Sequence, residues 1–268
     1  MFRREPDRSQ RSPMSDQRPI FHTESGVAVP GVSVREMREI DRIAVEDRGP
    51  SLLQMMEHAG MSLAIHALEL LGDGWEHRRV IVLAGTGGNG GGGICAARHL
   101  ANRGVDVLAV TSGRPSQADG ALGQQLMSLA EAPAEVIPFS EAFDVAEADL
   151  VIDAVIGYSL KDAPRGPTMA LIRAAEAAPA PVISLDVPSG VDPDTGETPG
   201  VHVHPSVTVT LALPKRGLTE ENAGELWLVD LGIPPGVYAR AGLAFEPPFG
   251  ASSQVSLRYP QPPNEGDA

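Results

Sequence analysis

At 268 residues, 42% of them hydrophobic, the chain is long enough for one large α/β domain or two small ones and apolar enough to bury a sizeable core. A formal net charge of −14 argues against general nucleic-acid binding, which needs a basic face to neutralise phosphates. Cys95 is the single cysteine, so a disulfide framework and a cysteine metal cluster are excluded, and no apolar run is long enough to span a bilayer.

The amino-terminal residues lack the apolar core of a signal peptide, and a cytoplasmic protein is expected. Residues 1–29 are polar, carry both signs of charge, and read as a disordered tail in which Met14 is an alternative start. Order is expected from Ser33, which forms a capping box with Glu36 ahead of Val34, Met37, Ile40, Ile43 and Ala44 at helical spacing. Gly49-Pro50 stops that helix, and Ser51 caps a second one running from Leu52 to about Leu71. Its Met55-Met56 pair reads as core filler.

Residues 80–84 read as a buried strand and residues 94–100 as a helix. Between them lies Gly85-Thr86-Gly87-Gly88-Asn89-Gly90-Gly91-Gly92-Gly93. Strand, glycine loop, helix is the arrangement that aims backbone N–H groups and a helix N-terminus at a bound anion. Glycines leave no Cβ in the way of a close ligand. This loop is the expected floor of an active site.

Further on, residues 105–110 read as strand, 116–130 as helix and 134–137 as strand. Leu150–Ala154 is a buried strand that delivers Asp153 to its carboxyl end; residues 168–177 are helical. Val182–Leu185 delivers Asp186, and Val207–Leu211 and residues 226–229 add two more strands. Strands alternating with helices predict an α/β fold with a mostly parallel, doubly wound sheet. Residues 245–268 are proline-rich and polar and read as a loose tail, leaving 30–244 as the ordered domain.

In open α/β sheets, ligands sit beyond the carboxyl ends of the strands. Here those ends carry Asn89, Asp153 and the run Asp186-Val187-Pro188-Ser189-Gly190-Val191-Asp192. Their amide, carboxylate and hydroxyl oxygens suit a hard cation, and the carboxylates suit acid/base work. Either aspartate alone could simply cap a turn; two at successive strand ends beside a glycine run favour function. Residues 85–90 fit G-x-G-x-x-G, but the following strand ends in Val110-Thr111-Ser112 and offers no acid for a ribose, which weakens an ordinary dinucleotide-binding reading. Ile94 after Gly93 excludes a Walker A loop, and no G-x-S-x-G elbow occurs. His202 and His204 read as a surface pair on one strand face, with no carboxylate beside them in sequence. Cys95 faces the sheet and reads as inert. Lys161 and Lys215-Arg216 fall in loops, open either to phosphate or to solvent.

Six blocks in order carry a family resemblance. They are Met56-Glu57-His58-Ala59-Gly60, the 85–93 run leading into Ala96-Ala97-Arg98-His99-Leu100, Asp153-Ala154-Val155-Ile156-Gly157, Leu185-Asp186-Val187-Pro188-Ser189-Gly190, Ala212-Leu213-Pro214-Lys215-Arg216-Gly217-Leu218, and Val229-Asp230-Leu231-Gly232-Ile233-Pro234. Through them, residues 34–240 resemble the YjeF N-terminal domain family, the NAD(P)H-hydrate epimerases. The resemblance implies a Rossmann-like three-layer α/β/α sandwich that interconverts the R and S forms of hydrated NADH and NADPH (NADHX and NADPHX) in nicotinamide cofactor repair. It also implies a separate ADP- or ATP-dependent dehydratase as functional partner, and a homodimer.

By the same resemblance, Asn89, Asp153 and Ser189 hold a potassium ion. Gly88, Asn89, Gly90, Gly91, Gly92, Gly157, Tyr158, Ser159, Leu160, Lys161, Asp162, Ala163 and Asp186 contact the damaged nucleotide, and Asp153 is the expected acid/base group. The family loop usually reads N-N-G-G-D-G; here its first Asn and its Asp are Gly88 and Gly92, and His58 replaces a common Asn. Loss of that carboxylate leaves a second reading, a catalytically weakened or inactive binding or scaffold protein with the same fold. Retention of Asn89, Asp153, Asp186 and Ser189 together favours the enzyme.

Overall fold

The computed structural model describes residues 18–160 and 162–261. A hairpin of β1 (Ile20–Thr23) and β2 (Ala28–Pro30) leads to α1 (Val34–Arg42), which passes into a π-helical turn at Ile43–Arg48. Then come α2 (Leu52–Leu71), β3 (Arg79–Ala84), α3 (Gly88–Ala101), β4 (Asp106–Thr111), α4 (Gly120–Leu129) and β5 (Ala134–Pro138). The second half holds β6 (Leu150–Ala154), α5 (Gly166–Ala177), β7 (Val182–Leu185), β8 (Val207–Leu211), α6 (Glu220–Ala223), β9 (Glu225–Val229), α7 (Pro235–Arg240) and β10 (Gln254–Arg258).

Among the described residues, ten strands form one sheet in the order β2-β1-β10-β9-β8-β7-β6-β3-β4-β5. From β9 to β5 every pairing is parallel, while β10, β1 and β2 are added antiparallel at one side. The chain runs outward from β3 in one direction through β4 and β5, then returns to the other side at β6. The β3–β6 gap is therefore the topological switch point, where α/β sheets bind ligands.

The central strands are apolar on both faces because both faces are covered. Along β3, Val80, Val82 and Ala84 join a core with α2, α3 and α4, whereas Ile81 and Leu83 join a second core with Leu171, Ile172 and Ala175 of α5. The three-layer α/β/α sandwich expected from the sequence is present. The expected helix bounds also hold at α1 and α2, where Ser33 and Ser51 both close capping boxes.

The tails need correction. Residues 20–30 are not a disordered tail: the alternation in Ile20-Phe21-His22-Thr23 turns Phe21 and Thr23 into the core, and β1 pairs with β10. Residues 245–261 are not loose either, since Phe245, Phe249 and Leu257 are buried and β10 pairs with β9. The rest of both expected tails, 1–17 and 262–268, lies outside the described residues. No helix among the described residues is long and apolar enough to cross a membrane.

Helix α2 also buries His66 against Trp227, with ring centroids 5.0 Å apart. Burial holds its imidazole below the usual 6.5, with Glu69 and Glu225 opposing the shift, and His99 is held down likewise. Such histidines take up protons more readily in the unfolded chain, so stability should be intact above the unfolded value and fall as pH drops below about 6.5. His66→Phe keeps a ring against Trp227 and should shrink that acid-side loss in melting temperatures taken from about pH 7.5 to 5. Identical pH slopes in the two proteins would assign the acid sensitivity elsewhere.

Candidate active site

The glycine run is only partly a loop. Residues 85–87 turn, but α3 already begins at Gly88, so residues 88–93 are helical. Glycine is a poor helix former, by about 1 kcal/mol per residue relative to alanine, so this segment is held by its surroundings. A Cβ at Gly90 would lie 1.9 Å from the Gly85 carbonyl oxygen, one at Gly91 2.7 Å from the Met56 side chain, and one at Gly93 2.5 Å from Ala154 Cβ. The run lets the helix settle onto β3, β6 and α2 at distances a side chain would forbid. Its first N–H groups, which lack intrahelical acceptors, then open at the switch point.

Above that helix end lies a cavity of about 520 Å³, within the usual size range of small-molecule sites. Its apolar walls include Met37, Met55, Met56, Leu185, Leu211 and Leu231; its polar groups include Arg38, Asp41, Asn89, Tyr158, Asp186 and Lys215. The methionine pair expected as core filler thus borders the cavity as well as the core. The π-helical turn contributes Val45 and Glu46 to the rim.

Lys215 is 1% exposed. Its ammonium donates to the Asp186 carboxylate and to the carbonyls of Leu211 and Leu213 at 3.0 and 3.1 Å, which uses all three protons. It is a buried ion-pair partner, neither of the loop roles the sequence left open. The backbone on either side of it is clamped by Val32, which donates to Pro214 O at 2.9 Å and accepts from Arg216 N at 3.0 Å. Asp186 sits at φ +69, a left-handed conformation uncommon outside glycine. The N–H groups of Tyr158 and Leu211 reach its two oxygens at 3.3 and 3.4 Å. The Tyr158 hydroxyl donates to Asp41 Oδ2.

Asp153 stands elsewhere. It is fully buried and does not line the cavity. Ser184 Oγ and Ser189 N donate to its Oδ2 at 2.8 and 2.9 Å, and Ser189 Oγ and Val155 N to its Oδ1 at 2.5 and 3.3 Å. Four donors and no exposure keep it away from a substrate in the cavity, so the acid/base role expected of it does not fit this arrangement. A ligand role is compatible. Ser189 Oγ also accepts from Ile156 N at 2.8 Å, and the next residue, Gly157, lies against Asn89, where a Cβ would come 2.8 Å from Oδ1. Asn89, Asp153 and Ser189 are therefore grouped, and the buried Asn89 amide nitrogen finds no partner among the described residues. The amide, carboxylate and hydroxyl oxygens of these three side chains are a hard-oxygen set that fits a cation such as potassium.

Of the other expected contact residues, Gly88, Asn89, Gly92, Gly157, Tyr158, Ser159 and Asp186 line the cavity. Gly90 and Gly91 pack inward, Leu160, Asp162 and Ala163 do not line it, and Lys161 lies outside the described residues. Asp41 and Arg38 were missed. Asp41 carried a signal: it falls four residues after Met37 and three before Ala44, on the apolar stripe of its helix.

His202 and His204 lie in an irregular segment before β8 rather than on a strand. Glu176 of α5 accepts from His204 N and meets its Nδ1 at 2.6 and 2.8 Å, supplying the carboxylate that sequence proximity did not show. Cys95 packs against Glu57 and Gly60 of α2 rather than the sheet, and burial with that carboxylate pushes its thiol up to about 12, as expected of an inert cysteine.

The comparisons agree with this architecture. A model of the family described as YjeF-related protein N-terminus matches residues 52–217. A protein of Dehalogenimonas lykanthroporepellens named NAD(P)H-hydrate epimerase is 53% identical over 88% of this chain and 96% of its own length. A protein of Hyperthermus butylicus named bifunctional NAD(P)H-hydrate repair enzyme Nnr is 41% identical over 70% of this chain, which spans only 36% of that longer relative. The crystal structure of yeast ynu0, YNL200c, superposes with a TM-score of 0.72 at 26% identity, covering 85% of this chain and 99% of the yeast chain. With the sheet order, the glycine helix and the strand-end acids in place, the chain belongs to the family of YjeF-related protein N-termini.

Proposed function

We propose that the protein is an NAD(P)H-hydrate epimerase, interconverting the R and S forms of hydrated NADH and NADPH. The observation that carries this reading is the cavity at the switch point, where the α3 N-terminus, the Asp186–Lys215 pair and an apolar wall converge. Relatives that bear the epimerase name over nearly their whole length support it. The unpaired N–H groups of α3 suit a dinucleotide's phosphates, and the methionine and leucine wall suits a ring that has lost its aromatic character. The Asp186–Lys215 pair offers a fixed polar edge for the carboxamide and hydroxyl groups of that ring.

Asn89, Asp153 and Ser189 are the residues that would hold a potassium ion, which when bound supplies fixed positive charge beside the phosphate-facing helix end. Gly92 lacks the carboxylate of the family loop, and a Cβ there would meet Leu185 Cδ2 at 2.8 Å. The polar groups are nevertheless assembled around one cavity, which favours the enzyme over an inactive scaffold. In this reading a separate dehydratase removes one epimer, and the active form is a homodimer.

Purified protein should clear R-NADPHX faster than its spontaneous epimerisation when an S-specific dehydratase is in excess, and faster in potassium than in sodium buffer. Clearance at the spontaneous rate in both buffers would sink the reading.

A further inference from the structure

The cavity holds two carboxylates in contrasting surroundings. Asp186 is compensated by a buried ammonium and two backbone N–H groups. Asp41, on α1, has a phenol as its hydrogen-bond partner: Tyr158 donates to Oδ2, which leaves the other oxygen to carry a transferable proton. Resting on the epimerase reading, we propose that Asp41 is the acid/base group of the reaction and that Tyr158 positions it.

The groups facing Asp41 are Tyr158 after β6, Asp186 after β7, Lys215 after β8, Tyr238 on α7, and Arg38, Arg42 and Glu46 on its own helical segment. Burial is the largest influence and, with Asp186, outweighs Tyr158 and Lys215, so the carboxyl is held above its ordinary value. A carboxyl raised by burial is how a site holds a proton donor. The substrate's reacting carbon bears a hydroxyl and a ring nitrogen. Asp41 gives its proton to the hydroxyl oxygen, the C–O bond breaks with its electron pair leaving as water, and the nitrogen lone pair forms C=N⁺. Water then adds to the opposite face and sheds its proton to solvent, the nitrogen recovers its pair, and the Asp41 carboxylate takes a proton back from solvent. Nothing is oxidised or reduced.

The test compares full-length wild type, Asp41→Asn, Asp41→Glu and Tyr158→Phe in the R-NADPHX assay, with NADPH-induced rises in melting temperature as the binding readout. Asp41→Asn should lose at least about 100-fold in kcat while keeping its NADPH-induced rise, and Asp41→Glu should recover part of the loss. Because the Tyr158 hydrogen bond draws the Asp41 value down, Tyr158→Phe should move the alkaline limb of kcat to higher pH, a change that lost packing would not produce. An Asp41→Asn kcat within about threefold of wild type overturns the assignment. So does a loss shared equally with NADPH binding, which would make Asp41 a binding residue. An inactive wild type overturns the epimerase reading, and this assignment with it.

Discussion

Gly90→Ala should lower stability by at least about 3 kcal/mol, the upper range for overpacking a rigid core, or roughly 10 °C in melting temperature for a chain of this size. The added Cβ would lie 1.9 Å from the Gly85 carbonyl oxygen and 2.6 Å from its carbon, and both are backbone atoms that no rotamer change can move aside. The requirement is for space alone, because Gly90 is helical and its φ is ordinary. Gly88 supplies the control two residues earlier in the same helix. Nothing lies within 4 Å of a Cβ there, so Gly88→Ala should hold or gain up to about 1 kcal/mol from helix propensity. Thermal unfolding of both variants decides the matter. Equal melting temperatures would mean that the helix end is not seated on the β3 turn as described.

Lys215→Met should be comparably damaging, at about 3–5 kcal/mol, because it leaves the Asp186 carboxylate buried without its counter-charge. Lys215→Arg should not rescue it, since a planar guanidinium cannot reproduce three donors converging from one point. The informative variant is the double one, Lys215→Met with Asp186→Asn. Asparagine tolerates the left-handed backbone at that position and carries no charge, so the double variant should be more stable than Lys215→Met alone. Additive losses in urea unfolding would show that the two side chains are not coupled, and the polar edge assigned to the site would have to be redrawn.

How much of this was legible depended on whether local sequence and tertiary surroundings agreed. Val182–Leu185 and Leu150–Ala154 were plain because fully buried parallel strands need continuous apolar residues, and α2 was plain because Ser51 and Gly72 cap both ends. Residues 88–93 read as a loop because their propensity says so; the contacts that impose helix come from Gly85, Met56 and Ala154, which local sequence does not report. The strands β1 and β10 were missed because each is short and amphipathic and their pairing with one another spans nearly the whole chain. At the site, Asp186 and Asn89 were readable from strand-end position. Asp41 sits on the apolar stripe of its helix but among Arg35, Glu36, Arg38, Glu39 and Arg42, a mixed-charge run that masks that position until Tyr158 is placed against it. The role assigned to Asp153 was displaced for a related reason: a strand-end carboxylate looks the same in sequence whether it faces a ligand or the serines behind it.

The position of β10 between β1 and β9 sets an order of events during synthesis. The hairpin of β1 and β2 leaves the ribosome first, yet the strand that ties it to the sheet is the last of the ten to emerge. Until then the early hairpin has only itself to pair with, and a two-stranded hairpin alone is marginal in water. The segment just after it includes Val32, whose backbone grips the chain on both sides of Lys215. A growing chain can therefore build most of its sheet before the early hairpin joins it through β10.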